Sequence, residues 1–346
     1  MKRSNYRSKV AFFFNNCRYL SFVSGKNDCT FVMQSTESDY NNGQMNKPTN
    51  NSYGCSAARL LALLTALFIG NVNYAQGFEF AFGGPKEDQG VAIVQTADHG
   101  FLEVGFSEGI LGDDNDIDIY VVRTDVDGTT LWERSYDEGF EEFPTEIVSN
   151  NGNFLISGHR RELFNSPSKG YLICINEFGT MLWSQTYGSA DGAQKINHIL
   201  ATPDGSFLLT GTFTDALTDK QDILLLKVDQ YGEEIWRQLI GSNRDEEGIA
   251  AVMGPENNGF VIGANGKSSA LIDNDIFFYG VDNEGNFDWS RSYGEPNIGE
   301  QLDDLIPTSD GNMAFVGSVN NSNTALIAKA NLNGDTLWYK EVIATP

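Results

Sequence analysis

Basic residues are scarce in this chain: 23 Lys and Arg stand against 47 Asp and Glu in 346 residues, a formal net charge of −24. Past residue 75 the imbalance steepens to 15 basic against 44 acidic residues, or about −29. A surface of that sign repels phosphate, which makes nucleic acid and anionic membrane poor partners. Histidine is rarer still: His99, His159 and His198 are scattered, with no pair at metal-ligand spacing, so no zinc site is indicated. Of four cysteines, Cys17, Cys29 and Cys55 lie upstream, leaving Cys174 alone in the Tyr171–Ile175 apolar run, where it reads as a small buried hydrophobe without a disulfide partner. The chain also lacks a long apolar run. Its longest, Leu60 to Ile69, is half of the roughly 20 residues that span a bilayer, so no membrane insertion is expected.

That short run has the makings of a secretory signal. Lys47 and Arg59 precede it, small residues follow it to Ala75, and Met45 is a suitable initiator. The expected organisation is a non-native, disordered upstream segment over 1–44, a signal peptide over 45–75 cleaved near Ala75, and a folded domain over 76–346. Cys55 precedes the apolar run, whereas a lipoprotein cysteine must follow it. The product is expected to be secreted or to face the outside of the cell envelope.

What the chain does have is a period. Trp132, Trp183, Trp236, Trp289 and Trp338 recur at intervals of 51, 53, 53 and 49 residues, each shortly after a glycine (Gly128, Gly179, Gly232, Gly285, Gly334). A second series, Gly105, Gly158, Gly211, Gly263 and Gly317, keeps the same spacing, each at the end of a short apolar run. Self-similarity of this length marks a propeller or solenoid. The third unit reads as four β-type runs, Ile196–Ala201, Phe207–Gly211, Ile223–Asp229 and Glu233–Ile240, joined by Asp/Asn-Gly turns that suit tight hairpins. Four antiparallel strands in about 52 residues make one propeller blade. The expected fold is therefore all-β: a β-propeller of four-stranded antiparallel blades in five repeats, with a larger or incomplete ring as the alternative. The piece Phe78–Gly83 matches the last strand of a unit, with Phe78 where Trp183 stands and Phe82 where Tyr187 stands.

The run of an Asp-Gly turn, an aliphatic strand, Lys227-Val-Asp229, the Gly232 turn and Trp236 resembles the secreted bacterial β-propeller repeats, across essentially the whole of 76–346. The tryptophan placement is also similar to that of quinoprotein-like propellers, and the resemblance implies that each indole docks against the neighbouring blade. Relatives of this kind often carry a C-terminal type IX sorting domain; the sequence stops at Pro346, directly after the fifth tryptophan strand, and both a chain without that domain and a fragment of a longer one stay open. For activity the resemblance implies little, since the fold hosts unrelated functions.

Candidate site residues fall on the loops joining blades and those joining strands two and three, which share one face of a propeller. Counting back seventeen residues from each strand-ending glycine gives Asp88, Glu141, Gln194, Glu246 and Glu300, a partial carboxylate ring that suits a cation or a basic partner. Within Gly112–Asp118, Asp114, Asp116 and Asp118 have the alternate spacing that wraps calcium, without the closing Glu of an EF-hand. Arg160 and Arg161, with Phe164, could hold an anionic or planar ligand. No catalytic set can be assembled, and no cofactor beyond possible calcium. The reading is a non-catalytic binding or scaffold propeller for a protein or glycan. The rival is a glycan-active hydrolase using channel carboxylates; a quinone-dependent dehydrogenase is weaker still, because no cofactor-binding set accompanies the tryptophans.

Overall fold

The computed structural model describes the backbone of residues 11–14, 18–25, 28–35 and 79–82, and from 82 onward both backbone and side chains of 82–83, 88–108, 117–139, 141–162, 166–188, 191–242, 244–267, 274–295, 298–319 and 324–343. The chain divides into two units, Met1–Gly83 and Gly84–Pro346. In the first, β1 (Ala11–Phe14), β2 (Arg18–Gly25), β3 (Asp28–Ser35) and β4 (Glu79–Phe82) pair in order as an antiparallel sheet. Residues 1–44, expected to be disordered, thus contribute three strands. The runs Ala-Phe-Phe-Phe and Thr-Phe-Val-Met have strand composition. Glu79–Phe82 is a fourth strand, as its likeness to a unit's last strand suggested, and it pairs with β3. The apolar run Leu60–Ile69 and the cleavage site near Ala75 lie outside the described residues.

The second unit is five four-stranded antiparallel sheets, the five blades read from the repeat. They are β5–β8 (Asp88–Gln95, Phe101–Glu108, Ile117–Thr124, Thr130–Tyr136), β9–β12 (Glu141–Asn150, Asn153–Arg161, Lys169–Asn176, Met181–Tyr187), β13–β16 (Gly192–Ala201, Phe207–Asp215, Gln221–Val228, Glu234–Ile240), β17–β20 (Glu246–Met253, Phe260–Lys267, Asn274–Val281, Phe287–Tyr293) and β21–β24 (Glu300–Pro307, Met313–Val319, Thr324–Ala330, Thr336–Ile343). Among the described residues no helix is long and apolar enough to cross a membrane.

Local chemistry explains the repetition. The turn between the third and fourth strands starts each time with Asp or Asn, whose Oδ1 accepts the N–H groups two and four residues on. Asp229 takes Tyr231 and Glu233 at 2.8 and 2.9 Å, and Asn331 takes Asn333 and Asp335 at 3.0 and 2.9 Å. The side chain thereby replaces ladder bonds that the turn gives up. The fourth turn residue needs positive φ, 79° at Gly232 and 83° at Gly334, which glycine adopts without steric cost.

Successive blades pack through apolar faces. Leu102, Val104, Ile119 and Val121 of the first meet Phe154, Ile156, Tyr171 and Ile173 of the second, and comparable clusters fill the next three junctions. Cys174 belongs to the core between the second and third blades, free and buried, as its apolar setting indicated. At each of these junctions a tryptophan closes the outer edge over the next blade's turn glycine. A Cβ at Gly179 would lie 3.0 Å from the Trp132 ring, and one at Gly285 2.6 Å from that of Trp236. The indole N–H of Trp132 donates to Glu177 O at 3.1 Å and that of Trp236 to Asn283 O at 3.2 Å. Tyr136 and Tyr187 add hydroxyl donations to Gly179 O and Gly232 O at 2.8 and 2.7 Å. Trp338 differs: it is 49% exposed, and β24 is exposed from end to end.

Candidate functional site

One structural irregularity orders the loop-facing end of the unit. In every blade the first strand carries a β-bulge opposite the second, at Val91, Thr145, Asn197, Ile249 and Asp303. Bulges re-aim the side chains around them. Three residues before the bulge stand Asp88, Glu142, Gln194, Glu246 and Glu300, all buried. Counting from the glycines gives Glu141 for the second blade, and the structure corrects it to Glu142. The first hairpin of that blade turns on only Asn151 and Gly152, so its count runs one residue short. Glu141 is instead half-buried and paired with Arg161 at 2.8 Å.

The bulge-aligned residues are largely occupied by their own blades. Ser107 donates its hydroxyl to Asp88. Gln194 accepts Arg237 at 3.0 Å. Glu246 accepts the hydroxyl of Ser242 and its N–H at 3.2 Å, and Glu300 accepts the N–H of Glu295, also at 3.2 Å. In the fourth and fifth blades the carboxylate therefore ties down the loop that leads into its strand, in place of a solvated ring at a channel mouth.

Glu142 is the exception. It is 1% exposed and neither carboxylate oxygen has a hydrogen-bond partner. Its carboxylate lies with those of Asp118 and Asp137, from the first blade, so that one oxygen of each falls within 4.8 Å of the others. Burial first, then the charges of Asp118 and Asp137, push the Glu142 carboxyl up to about 8, and the Arg160 guanidinium beside it offsets part of that rise. Arg160 itself is paired with Glu138. The buried Tyr171 hydroxyl likewise has no hydrogen-bond partner, and Glu142's charge adds to the burial that raises its pKa. Asp118, expected to act with Asp114 and Asp116, is thus brought to Asp137 and Glu142; Asp114 and Asp116 lie outside the described residues, as does Phe164. Arg161 sits 5.2 Å over the Phe143 ring, which stacks on His159 at 5.1 Å, and burial lowers the His159 pKa to about 4.

Two features escaped sequence reasoning. One residue past the bulge, the second, third and fifth blades carry Glu146, His198 and Asp304, where the first and fourth carry Ala92 and Ala250. Glu146 Oε2 accepts the Ile199 N–H at 2.5 Å and Oε1 lies 3.9 Å from His198 Nε2. Burial raises the Glu146 carboxyl to about 8, helped by Asp304, and lowers His198 to about 4. Asp304, on the fifth blade, adds its charge to both shifts. The other feature is a groove of about 610 Å³ between the third and fourth blades. Phe277, Tyr279 and Phe287 form its apolar wall, with ring centroids 6.1 and 6.4 Å apart, while Gln238, Arg244 and Asn286 supply polar groups. Phe287 is 56% exposed. An alignment of the units on their bulges would have revealed the first feature; the second depends on how two blades splay and has no sequence signal.

No protein-family model matches the chain, and no curated protein matches it. Solved structures are similar only at a distance. Cobalt-substituted Synechocystis ACO aligns with TM-score 0.47 and 11% identity over 74% of this chain and 63% of its own. Prolyl oligopeptidase B from Galerina marginata, bound to a 35mer hydrolysis and macrocyclization substrate, aligns with TM-score 0.48 and 11% identity over 94% of this chain and 40% of its own. A eukaryotic initiation factor aligns with TM-score 0.39 and 12% identity over 99% and 89%. The chain thus spans less than two thirds of the oxygenase and of the peptidase. At these values the likenesses carry nothing about chemistry.

Proposed function

We propose that the protein is a non-catalytic binding propeller, working outside the cell or on its envelope, that holds a glycan or an extended protein segment in the groove between its third and fourth blades. The observation that carries this is the groove itself: its volume is that of a ligand site, and one exposed ring, Phe287, backed by the half-buried Phe277 and the buried Tyr279, stands beside guanidinium and amide groups. Aromatic rings offer apolar contact to a sugar face or a side chain, and the polar groups fix orientation. The strongly acidic composition favours neutral or cationic ligands over anionic ones. Most of the buried acids at the blade ends are spent on loop amides and hydroxyls, which suits a scaffold better than acid–base chemistry. Retention of the protein on immobilised glycans or cationic peptides, lowered at least about tenfold by Phe287→Ala, is the expected result. Unchanged retention in that variant would place binding elsewhere.

A hydrolase is the second reading, and Glu146 is what favours it: a carboxyl held protonated near neutral pH is what a general acid requires. It stands beside His198 and within reach of Asp304's charge, in surroundings the other blades do not repeat.

A further inference from the structure

The junction of the first two blades gathers three carboxylates at one point, one more than the Asp275 and Glu300 that meet beside Gly294. The residue following the last strand is glycine in the next three blades, Gly188, Gly241 and Gly294, and the side chain opening the third strand lies directly over it. A Cβ at Gly188 would come within 2.7 Å of Lys169 and one at Gly294 within 2.7 Å of Asp275, while at Gly241 it would collide with the Asp222 carboxylate. In the first blade that position is Asp137. Asp118, 2% exposed, occupies the overlying place, so the two carboxylates are driven together. The second blade then adds Glu142, fully buried, without a hydrogen bond and aimed at the same point. An ionised carboxylate left so would cost several kcal/mol of lost hydration. A loop amide bonds to one oxygen of each of its counterparts Glu246 and Glu300, although Glu300 Oε2 has no hydrogen-bond partner; at Glu142 both oxygens are without one.

We propose that Asp118, Asp137 and Glu142 form a binding site for one hard divalent cation of the calcium type, bridging the first and second blades. Carboxylate oxygens alone, with irregular geometry and one exposed ligand left for water, suit calcium better than a soft or strictly octahedral ion. Because the ligands come from two blades, the ion ties the junction together as well as neutralising it.

Calorimetric titration of the chelator-treated full chain with calcium chloride tests this. The expected result is one site per chain, in about the 10⁻⁴–10⁻³ M range of extracellular calcium modules. Asp137→Gly gives the first blade the residue found at Gly188, Gly241 and Gly294, so the fold tolerates it; it should weaken binding at least about tenfold. Glu142→Gln keeps the shape and removes the charge, with the same expected loss, whereas Asp222→Asn should bind as the unaltered chain does. The proposal is overturned if the unaltered chain takes up no calcium, or if Asp137→Gly and Glu142→Gln bind as tightly as it does.

Discussion

Trp236→Ala and Trp338→Ala remove the same side chain from equivalent positions of two blades, and the structure predicts very different costs. Trp236 is half-buried, donates its indole N–H to Asn283 O at 3.2 Å, and covers the Gly285 turn so closely that a Cβ there would sit 2.6 Å from its ring. Losing the hydrogen bond costs about 0.5–1.5 kcal/mol. Losing a fully buried tryptophan costs about 3–5 kcal/mol through lost contacts and the cavity left behind. For a half-buried ring the sum comes to about 2–3 kcal/mol. Trp338 is 49% exposed and stands on a strand exposed throughout, so its removal should fall within about 0.5 kcal/mol of neutral. Urea unfolding followed by far-UV circular dichroism measures both, and the midpoints should separate clearly. Equal losses, or a larger loss at Trp338, would refute the view that each indole works by docking on the next blade's turn.

Other consequences are as direct. Glu103 is 5% exposed, its Oε2 has no hydrogen-bond partner, and burial raises its carboxyl to about 8 from the ordinary 4.5. Between those values the folded chain holds a proton that the unfolded chain has released, so stability falls as pH rises through that window. Glu103→Leu should therefore raise stability by about 1–3 kcal/mol at pH 8.5 and change it little at pH 4, read from urea midpoints. Cys174, enclosed between the second and third blades with its thiol pushed up to about 11 by burial, should resist alkylation in the native protein and react at once in urea. Gly285→Ala should cost at least about 1 kcal/mol through its φ of 78° alone, and more through contact with Trp236.

The blades were legible because their markers are local. A turn that needs positive φ requires Gly128 or Gly334 wherever it occurs, and the Asx residue that opens the turn, Asp125 or Asn331, bonds its own turn whatever packs above. The site was less legible because it depends on register. Glu141 and Glu142 differ by one residue in sequence, yet the short Asn151–Gly152 hairpin puts one at a half-buried ion pair and buries the other. Nothing in the sequence sets Asp137 apart from other acidic loop residues; only its alignment with Gly188, Gly241 and Gly294 shows that it stands where the other blades have no side chain. Glu146 and His198 lie far apart in the chain and come within 3.9 Å of each other, each one residue past the bulge of its blade.

The most direct test sets the two readings of function against each other in a single experiment. The full chain, Phe287→Ala and Glu146→Gln are each titrated with the oligosaccharides or peptides that the protein retains, while release of reducing ends or free amines is followed in the same samples. A binding propeller predicts that Phe287→Ala loses affinity, Glu146→Gln keeps it, and none of the three releases product. Product released by the unaltered chain and abolished in Glu146→Gln would contradict the account.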